Sequence, residues 1–342
     1  MRVAVVGAGV IGVTSALAVK SAFPNYHVKI FADAFSPDTT GDGSAGLWSP
    51  FFLCDTPAED IYRWAGRTHR WLEQLWKAGL SSETGVSLIP VIRVISGNEC
   101  DTDLAWLKLV YGAQELSGEQ LRRLNEEHKS NYKMGRHFLT YTSEPVLLLP
   151  WLMKKFSNLG GEMERRKVKA LHELAEEGYD LIINCSGLGA RELVPDKTVT
   201  PIRGQVYKVK APWTMQCFVV DDDETYYIIP NVEDVVLGGT HQEDDFDCTV
   251  REEDSKRIHA GCCRLMPSLK AGRMSRAWVG LRPGRPRVRL ECENVRAAGG
   301  KEFKVIHNYG HGGSGVTLCW GCAVDVVEMM RNLKVPELNS KL

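Results

Sequence analysis

Three clusters of residues in this chain have the types and spacing of a binding site. The first is Gly7-Ala8-Gly9-Val10-Ile11-Gly12, with Asp33 roughly 20 residues further on. In that spacing Gly7 permits a tight turn, Gly9 lets backbone N–H groups approach a pyrophosphate, and Gly12 allows close helix packing. The helix N-terminus opened there offers partial positive charge to phosphates. Asp33 is placed to accept hydrogen bonds from an adenosine ribose. NAD and FAD share this ADP half, so the motif points to a dinucleotide and leaves its identity open. The second cluster, Gly310-His311-Gly312-Gly313-Ser314-Gly315, has glycines that let a flat ring or a phosphate touch the main chain. The third is Gly280-Leu281-Arg282-Pro283-Gly284-Arg285-Pro286-Arg287-Val288-Arg289. Its prolines fix the backbone around Arg282, and a guanidinium held that way suits either bidentate capture of a carboxylate or a structural salt bridge. Arg285, Arg287 and Arg289 would share one face of an extended strand, solvated or ion-paired.

Other reactive residues read as structural. His307 and His311 have the spacing of metal ligands, but the glycines around His311 argue against the helix that would align them, and no metal is expected. Cys319-Trp320-Gly321-Cys322 follows a glycine loop and a short apolar run, which favours packed thiols over a redox pair. The run Asp221-Asp222-Asp223-Glu224 lacks the ligand spacing of a calcium loop and reads as a solvated loop or lid.

The elements that must hold these clusters follow from hydrophobic pattern. Val3 to Val6 is a strand buried on both faces, a helix runs to about Ala22, and Val28 to Ala32 is a second strand, giving a βαβ unit. Helices are predicted over 58–80, with Trp64, Trp71 and Trp76 as a core stripe, and over 104–111, 118–124, 147–159, 256–266 and 322–333. Ser117 and Gln120 form a capping box. Strands are predicted over 86–95, with Pro90 marking an edge or bulge, and over 162–168, 179–187, 205–209, 226–229, 234–237 and 303–307. Nucleotide-binding character thus recurs at the start, middle and end of the chain, with antiparallel segments between.

With 342 residues, 42 basic against 43 acidic and a net charge of −1, the chain has room for two domains and no global field for nucleic acid or an anionic membrane. No apolar run reaches the roughly 18 residues of a spanning helix. The chain enters its first strand at once, so a soluble intracellular protein with ten reduced cysteines is expected. Ser340-Lys341-Leu342 matches the peroxisomal address, which predicts a peroxisomal location and an import receptor as partner.

Over nearly its whole length the sequence resembles the D-amino-acid oxidase and D-aspartate oxidase family of FAD enzymes. The resemblance runs through residues 5–12, Asp38-Thr39-Thr40, Ala45-Gly46-Leu47-Trp48, Asn184-Cys185-Ser186-Gly187 and Arg203-Gly204-Gln205. It continues through Tyr227-Ile228-Ile229-Pro230, Gly280-Leu281-Arg282-Pro283 and His307-Asn308-Tyr309-Gly310-His311-Gly312-Gly313. It implies an α/β fold in which a Rossmann-like FAD-binding domain (1–50, 146–195 and 287–342) interleaves with an antiparallel-sheet α+β substrate domain (51–145 and 196–286). Arg282 and Tyr227 would hold the substrate carboxylate, and the Gly313 carbonyl its amine. FAD would lie against Gly7, Ala8, Gly9, Val10, Ile11, Gly12, Asp33, Thr39, Thr40, Gly46, Leu47, Val168, Ser186, Gly187, Gly312, Gly313, Gly315, Val316 and Thr317. The implied reaction is hydride transfer from a D-amino acid to the flavin, reoxidation by O2 with formation of H2O2, and hydrolysis of the imino acid to a 2-oxo acid and ammonia. The cofactor carries the hard step, so no acid–base dyad is required. Assembly into a homo-oligomer is compatible with the sequence.

The two branches of that family differ in the side chain they accept. The aspartate branch places arginines where Val220 and His241 stand here, and without them a second carboxylate would be costly to bury. His241 could supply one positive charge if protonated. Neutral side chains are therefore expected slightly ahead of D-aspartate.

Overall fold

The structure is a computed structural model and describes residues 1–51, 53–97, 104–222, 225–297, 300 and 302–333. The run Val3–Val6 is apolar on successive residues because both faces of its sheet are covered. Val3 and Val5 pack on the helices Val10–Ala22 and Gly315–Asn332, while Ala4 and Val6 pack on the short helix Leu171–Glu176. This six-stranded sheet runs in the order Arg289–Arg296, Glu302–Tyr309, Leu181–Asn184, Arg2–Val6, His27–Ala32, Glu162–Arg165. Its strands are parallel except the first, an antiparallel edge.

A nine-stranded, mostly antiparallel sheet carries the rest. Its path is Gln242–Glu243, Thr200–Lys210, Val235–Gly238, Tyr226–Pro230, Cys217–Val220, Ser87–Ile95, Met134–Thr142, Tyr111–Glu115. The long strand Arg273–Gly284 pairs with Thr200–Lys210 along most of its length. Between the two sheets, Ala58–Lys77 packs on Gly315–Asn332, with Trp71 stacked on Trp320 at 4.9 Å. Trp64 and Trp71 are core as expected, whereas Trp76 is 38% exposed. Among the described residues no helix is long and apolar enough to cross a membrane.

Several sequence expectations need correction. The segment 104–111 is a single 3-10 turn, Ala105–Leu109, followed by the strand Tyr111–Glu115. That strand is exposed at every residue and has no alternation to betray it; pairing with Met134–Thr142 decides its state. Pro90 lies in an interior strand. Pairing with Cys217–Val220 begins only at Val91, however, so the prolyl nitrogen falls where the strand has one neighbour. Arg285 and Arg287 lie in the connection between Arg273–Gly284 and Arg289–Arg296, not on one strand face with Arg289. Arg285 pairs with Asp196 at 3.0 Å, and Arg289 with Glu291 and Glu293. The last helix begins at Gly315, two turns before the expected start, because the run after the loop packs as helix against Val10–Ala22. Cys319 and Cys322 lie inside it, fully buried. Burial pushes the Cys319 thiol up to about 12 and Cys322 well above its ordinary value, as expected of packed thiols.

Candidate active site

A cavity of about 460 Å3 runs between the sheets and is lined by all three glycine- and arginine-bearing clusters. Its size is in the range of small-molecule sites, roughly 300–1,000 Å3. One end is built by the first βαβ turn. Gly7 has φ +107, and a Cβ there would lie 2.4 Å from the Cys185 carbonyl oxygen, so only glycine lets the two strand ends meet. Gly9 is the N-cap of Val10–Ala22 and contributes no side-chain cap, and a Cβ on it would meet nothing within 4 Å. The helix N-terminus thus faces open space with unsatisfied N–H groups. Ala8, Val10, Ile11, Asp33, Thr40, Gly46, Leu47, Ser186 and Gly187 line the same cavity. Thr39 does too, but its hydroxyl and amide donate to Asp42 Oδ2 at 2.7 and 2.9 Å, which leaves the hydroxyl only as an acceptor for a ligand.

The C-terminal loop closes onto this cradle from the opposite end of the chain. Gly312 N donates to Pro283 O at 2.9 Å, and the Ser314 hydroxyl accepts from Phe51 N at 2.7 Å and donates to Phe51 O at 2.6 Å. Gly312, Gly313, Gly315 and Val316 therefore line the cavity. Four other predicted residues do not. Gly12 packs instead against Gly7, where a Cβ would lie 1.9 Å from its carbonyl oxygen. Thr317 bonds Ser49 through its hydroxyl, and the Val168 side chain belongs to the core layer of Val6 and Phe31. His241 follows Thr240 but is not among the cavity-lining residues.

Buried polar atoms test whether a dinucleotide fits. Ser186 Oγ, Trp278 Nε1, Asn308 Oδ1 and His311 Nε2 all belong to cavity residues, and none has a hydrogen-bond partner among the described residues. Burial holds the His311 imidazole down at about 3, so it is neutral near pH 7 and offers one donor and one acceptor. Orphaned donors and acceptors beside an uncapped helix N-terminus fit a phosphate-linked, ring-bearing ligand.

Tyr227 and Arg282 line the same cavity. Arg282 Nη1 donates to Thr240 O at 3.0 Å, and its guanidinium lies across Gly204, where a Cβ would sit 2.3 Å from Nη1. The Tyr227 ring lies over Gly238 and Gly239 in the same manner. Burial raises the Tyr227 phenol and the adjacent Arg282 partly offsets this, so the hydroxyl stays a donor near neutral pH. His307 is elsewhere, bridging Asn184 at 3.2 Å and Glu293 at 3.0 Å, and no metal-holding cluster occurs among the described residues.

Arg93, a charged wall residue, escaped the sequence reading, and Asp221, expected in a solvated loop or lid, is instead its partner in the cavity wall. Val220 is also corrected. It faces the second core with Phe218 and Ile258, and Val219 lines the cavity instead. Strand alternation puts neighbours on opposite faces, and counting along the sequence could not set the register.

The model of the family described as FAD dependent oxidoreductase matches residues 2–329. D-aspartate oxidase of Homo sapiens is 35% identical over 345 residues, covering 100% of this chain and 99% of that protein. D-amino acid oxidase of Dugesia ryukyuensis is 36% identical over 340 residues, covering 97% and 98%. Among solved structures, glycine oxidase from Geobacillus kaustophilus superposes with a TM-score of 0.78 at 17% identity, over 98% of this chain and 96% of that one.

Proposed function

Since the chain belongs to the FAD dependent oxidoreductase family, we propose that it oxidises D-amino acids to 2-oxo acids, releasing ammonia and hydrogen peroxide. The family decides between the two dinucleotides in favour of FAD. FAD, when bound, supplies the acceptor for the two electrons and hands them to O2. One observation carries the substrate reading. The Arg282 guanidinium and the Tyr227 hydroxyl stand together in the wall of the cavity that the dinucleotide cradle also lines.

The protein's own residues then have defined tasks. Arg282 takes the α-carboxylate as a charge-assisted pair, its orientation fixed through Thr240 O. Tyr227 donates a further hydrogen bond to the same group. The Gly313 carbonyl receives the substrate amine. Two fixed points leave the substrate one way to present its Cα–H, which accounts for selection of one enantiomer. Val91, Phe138, Val219 and Ile229 form the apolar part of the wall. The substrate gives up a hydride from Cα and a proton from its amine, and water then cleaves the imino acid.

The 35% identity to a D-aspartate oxidase keeps an acidic substrate as the second reading. Neutral side chains remain ahead, because valine and histidine stand at Val220 and His241, where that branch has its two arginines. Peroxisomal import through Ser340-Lys341-Leu342, which lies outside the described residues, is part of the same proposal. A fluorescent fusion that stays in peroxisomes after deletion of those three residues would refute it. The activity is tested with purified protein: yellow colour, and peroxide formed from D- but not L-amino acids. Arg282→Ala should keep the colour and lose turnover. Normal turnover in that variant would show that another group holds the carboxylate.

A further inference from the structure

Starting at Tyr227 of the carboxylate clamp, the nine-stranded sheet presents a row of side chains on one face. Tyr227 pairs with Val219, and Val219 pairs with Arg93 on the next strand. Adjacent strands lie roughly 4.8 Å apart, which puts Arg93 about 10 Å from Tyr227 along the row, with only a valine between. Arg93 is therefore within reach of the end of a substrate side chain whose carboxylate is held at Arg282.

Arg93 is not a bare charge. Its Nε donates to Asp221 Oδ2 at 3.0 Å, and its Nη2 donates to the same oxygen. The side chains are 14% and 24% exposed, and Asp221 N is fixed to Val94 O at 2.9 Å. The Arg93 guanidinium also lies 5.8 Å from the centre of the Trp106 ring. Arg93 Nη1 and Asp221 Oδ1 have no hydrogen-bond partner among the described residues. Both residues line the cavity. The pair thus offers the N–H donors of Nη1 and the acceptor Oδ1 while carrying no net charge.

Resting on the oxidase reading above, we propose that the Arg93–Asp221 pair recognises the substrate side chain and selects D-amino acids ending in an uncharged donor–acceptor group, a carboxamide above all. A carboxamide accepts from Nη1 through its oxygen and donates to Oδ1 through its nitrogen, so both ends of the pair are satisfied. A carboxylate placed at Nη1 gains one hydrogen bond and lies beside the Asp221 carboxylate. An ammonium placed at Oδ1 lies beside the guanidinium. Each charged end thus meets repulsion from the half of the pair it does not bind.

The test is a substrate panel on the FAD-loaded enzyme, with kcat/KM read from peroxide formation for D-Gln, D-Asn, D-Glu, D-Asp, D-Lys and D-Ala. In the wild type, D-Gln or D-Asn should exceed the acidic and basic analogues by about tenfold or more. Asp221→Asn leaves the guanidinium uncompensated and should raise the D-Glu/D-Gln ratio at least tenfold, by the same charge argument. Arg93→Gln should instead raise the D-Lys/D-Gln ratio. Ratios taken within one preparation cancel any loss of folded protein. Wild-type preference for D-Asp, D-Glu or D-Lys over the amides overturns the proposal even if neither variant folds, and so do ratios that both variants leave unmoved. If no D-amino acid, D-Ala included, yields peroxide, it is the oxidase reading that fails.

Discussion

Gly204 is the position where a small change should separate folding from catalysis. A Cβ there would stand 2.3 to 2.5 Å from three atoms of the Arg282 guanidinium, against an ordinary contact distance of 3.4 Å or more. Gly204→Ala therefore requires the guanidinium to retreat by 3.4 − 2.3 = 1.1 Å. The atoms met are the end of a flexible side chain and not backbone, so the strand Thr200–Lys210 keeps its pairing with Arg273–Gly284 and the fold loses little. Function loses more. The hydrogen bond from Nη1 to Thr240 O that orients the guanidinium is broken, and the carboxylate pairs with a group about 1 Å out of place. Losing one well-aligned charge-assisted bond costs about 1.5–3 kcal/mol, and a misplacement of that size is worth roughly 100-fold in rate. Expected, then, are a near-native melting temperature, retained yellow colour and kcat/KM down roughly 100-fold for every D-amino acid tried. The assay is peroxide formation alongside the 450 nm (approximate) band of bound flavin. Wild-type kcat/KM in a folded, flavin-loaded Gly204→Ala protein would refute the assignment of Arg282 as the carboxylate anchor.

Two further outcomes follow from the core. His69, 4% exposed among Trp48, Tyr111 and Tyr141, is held at about 4, chiefly by burial. Its folded value lies below the unfolded 6.5. The neutral ring's contribution is therefore full above pH 6.5 and is lost as pH falls towards 4, about 3 kcal/mol across the window. Melting temperatures measured from pH 7 to 4 should fall with pH, and His69→Gln should remove its share of that slope while the part due to the likewise buried His311 remains; a slope left unchanged by His69→Gln would show that His69 takes up no proton in this window. Asp325, 8% exposed, accepts from Trp64 Nε1 at 2.7 Å and Arg63 Nη2 at 2.9 Å, and pairs with Arg67, so it clamps Ala58–Lys77 to the last helix. Asp325→Ala leaves those donors unmatched and should cost about 3 kcal/mol in urea denaturation; a loss under about 1 kcal/mol would mean the arginines find water at no penalty.

The dinucleotide half of the site could be read from the sequence because each glycine in it answers to a local need. Gly7 needs a positive φ, Gly12 needs contact with Gly7, and both follow from spacing within a single βαβ unit. The substrate half is assembled from registers between distant strands, and there local pattern is silent. That Val219 and not Val220 lines the cavity depends on pairing with Tyr227 and Arg93, more than a hundred residues apart in the latter case. The exposed strand Tyr111–Glu115 escaped for the same reason, since its only specification is its neighbour Met134–Thr142.

The arginine motifs show why the resemblance singled out Arg282 as a candidate clamp and not Arg93, although both line the cavity. Arg282 is marked by Pro283 and by glycines on both strands, because its guanidinium must lie flat across Gly204 with Gly280 paired opposite. Arg203, one residue before Gly204, is fully buried and binds Gln205, Gln242, Asp254 and the carbonyls of Asp247 and Thr249. Thr240 in turn closes on Gln205 N and Arg203 O through its hydroxyl, so the carbonyl that orients Arg282 is itself held by this buried network. The guanidinium proposed to hold the carboxylate is thus supported from the neighbouring strand by Gly204 and Arg203 and from the loop after Val235–Gly238 by Thr240, and these supports leave glycines and a buried charge in the sequence. Arg93 and Asp221 rest on less, the Trp106 ring and the Asp221 N–H to Val94 O bond, and neither support leaves a mark in the sequence. They satisfy each other across two strand ends, and in the sequence such a pair looks like any surface arginine and any acidic loop. Side-chain selectivity can then change by a single substitution at either residue while the clamp and the dinucleotide cradle keep their geometry.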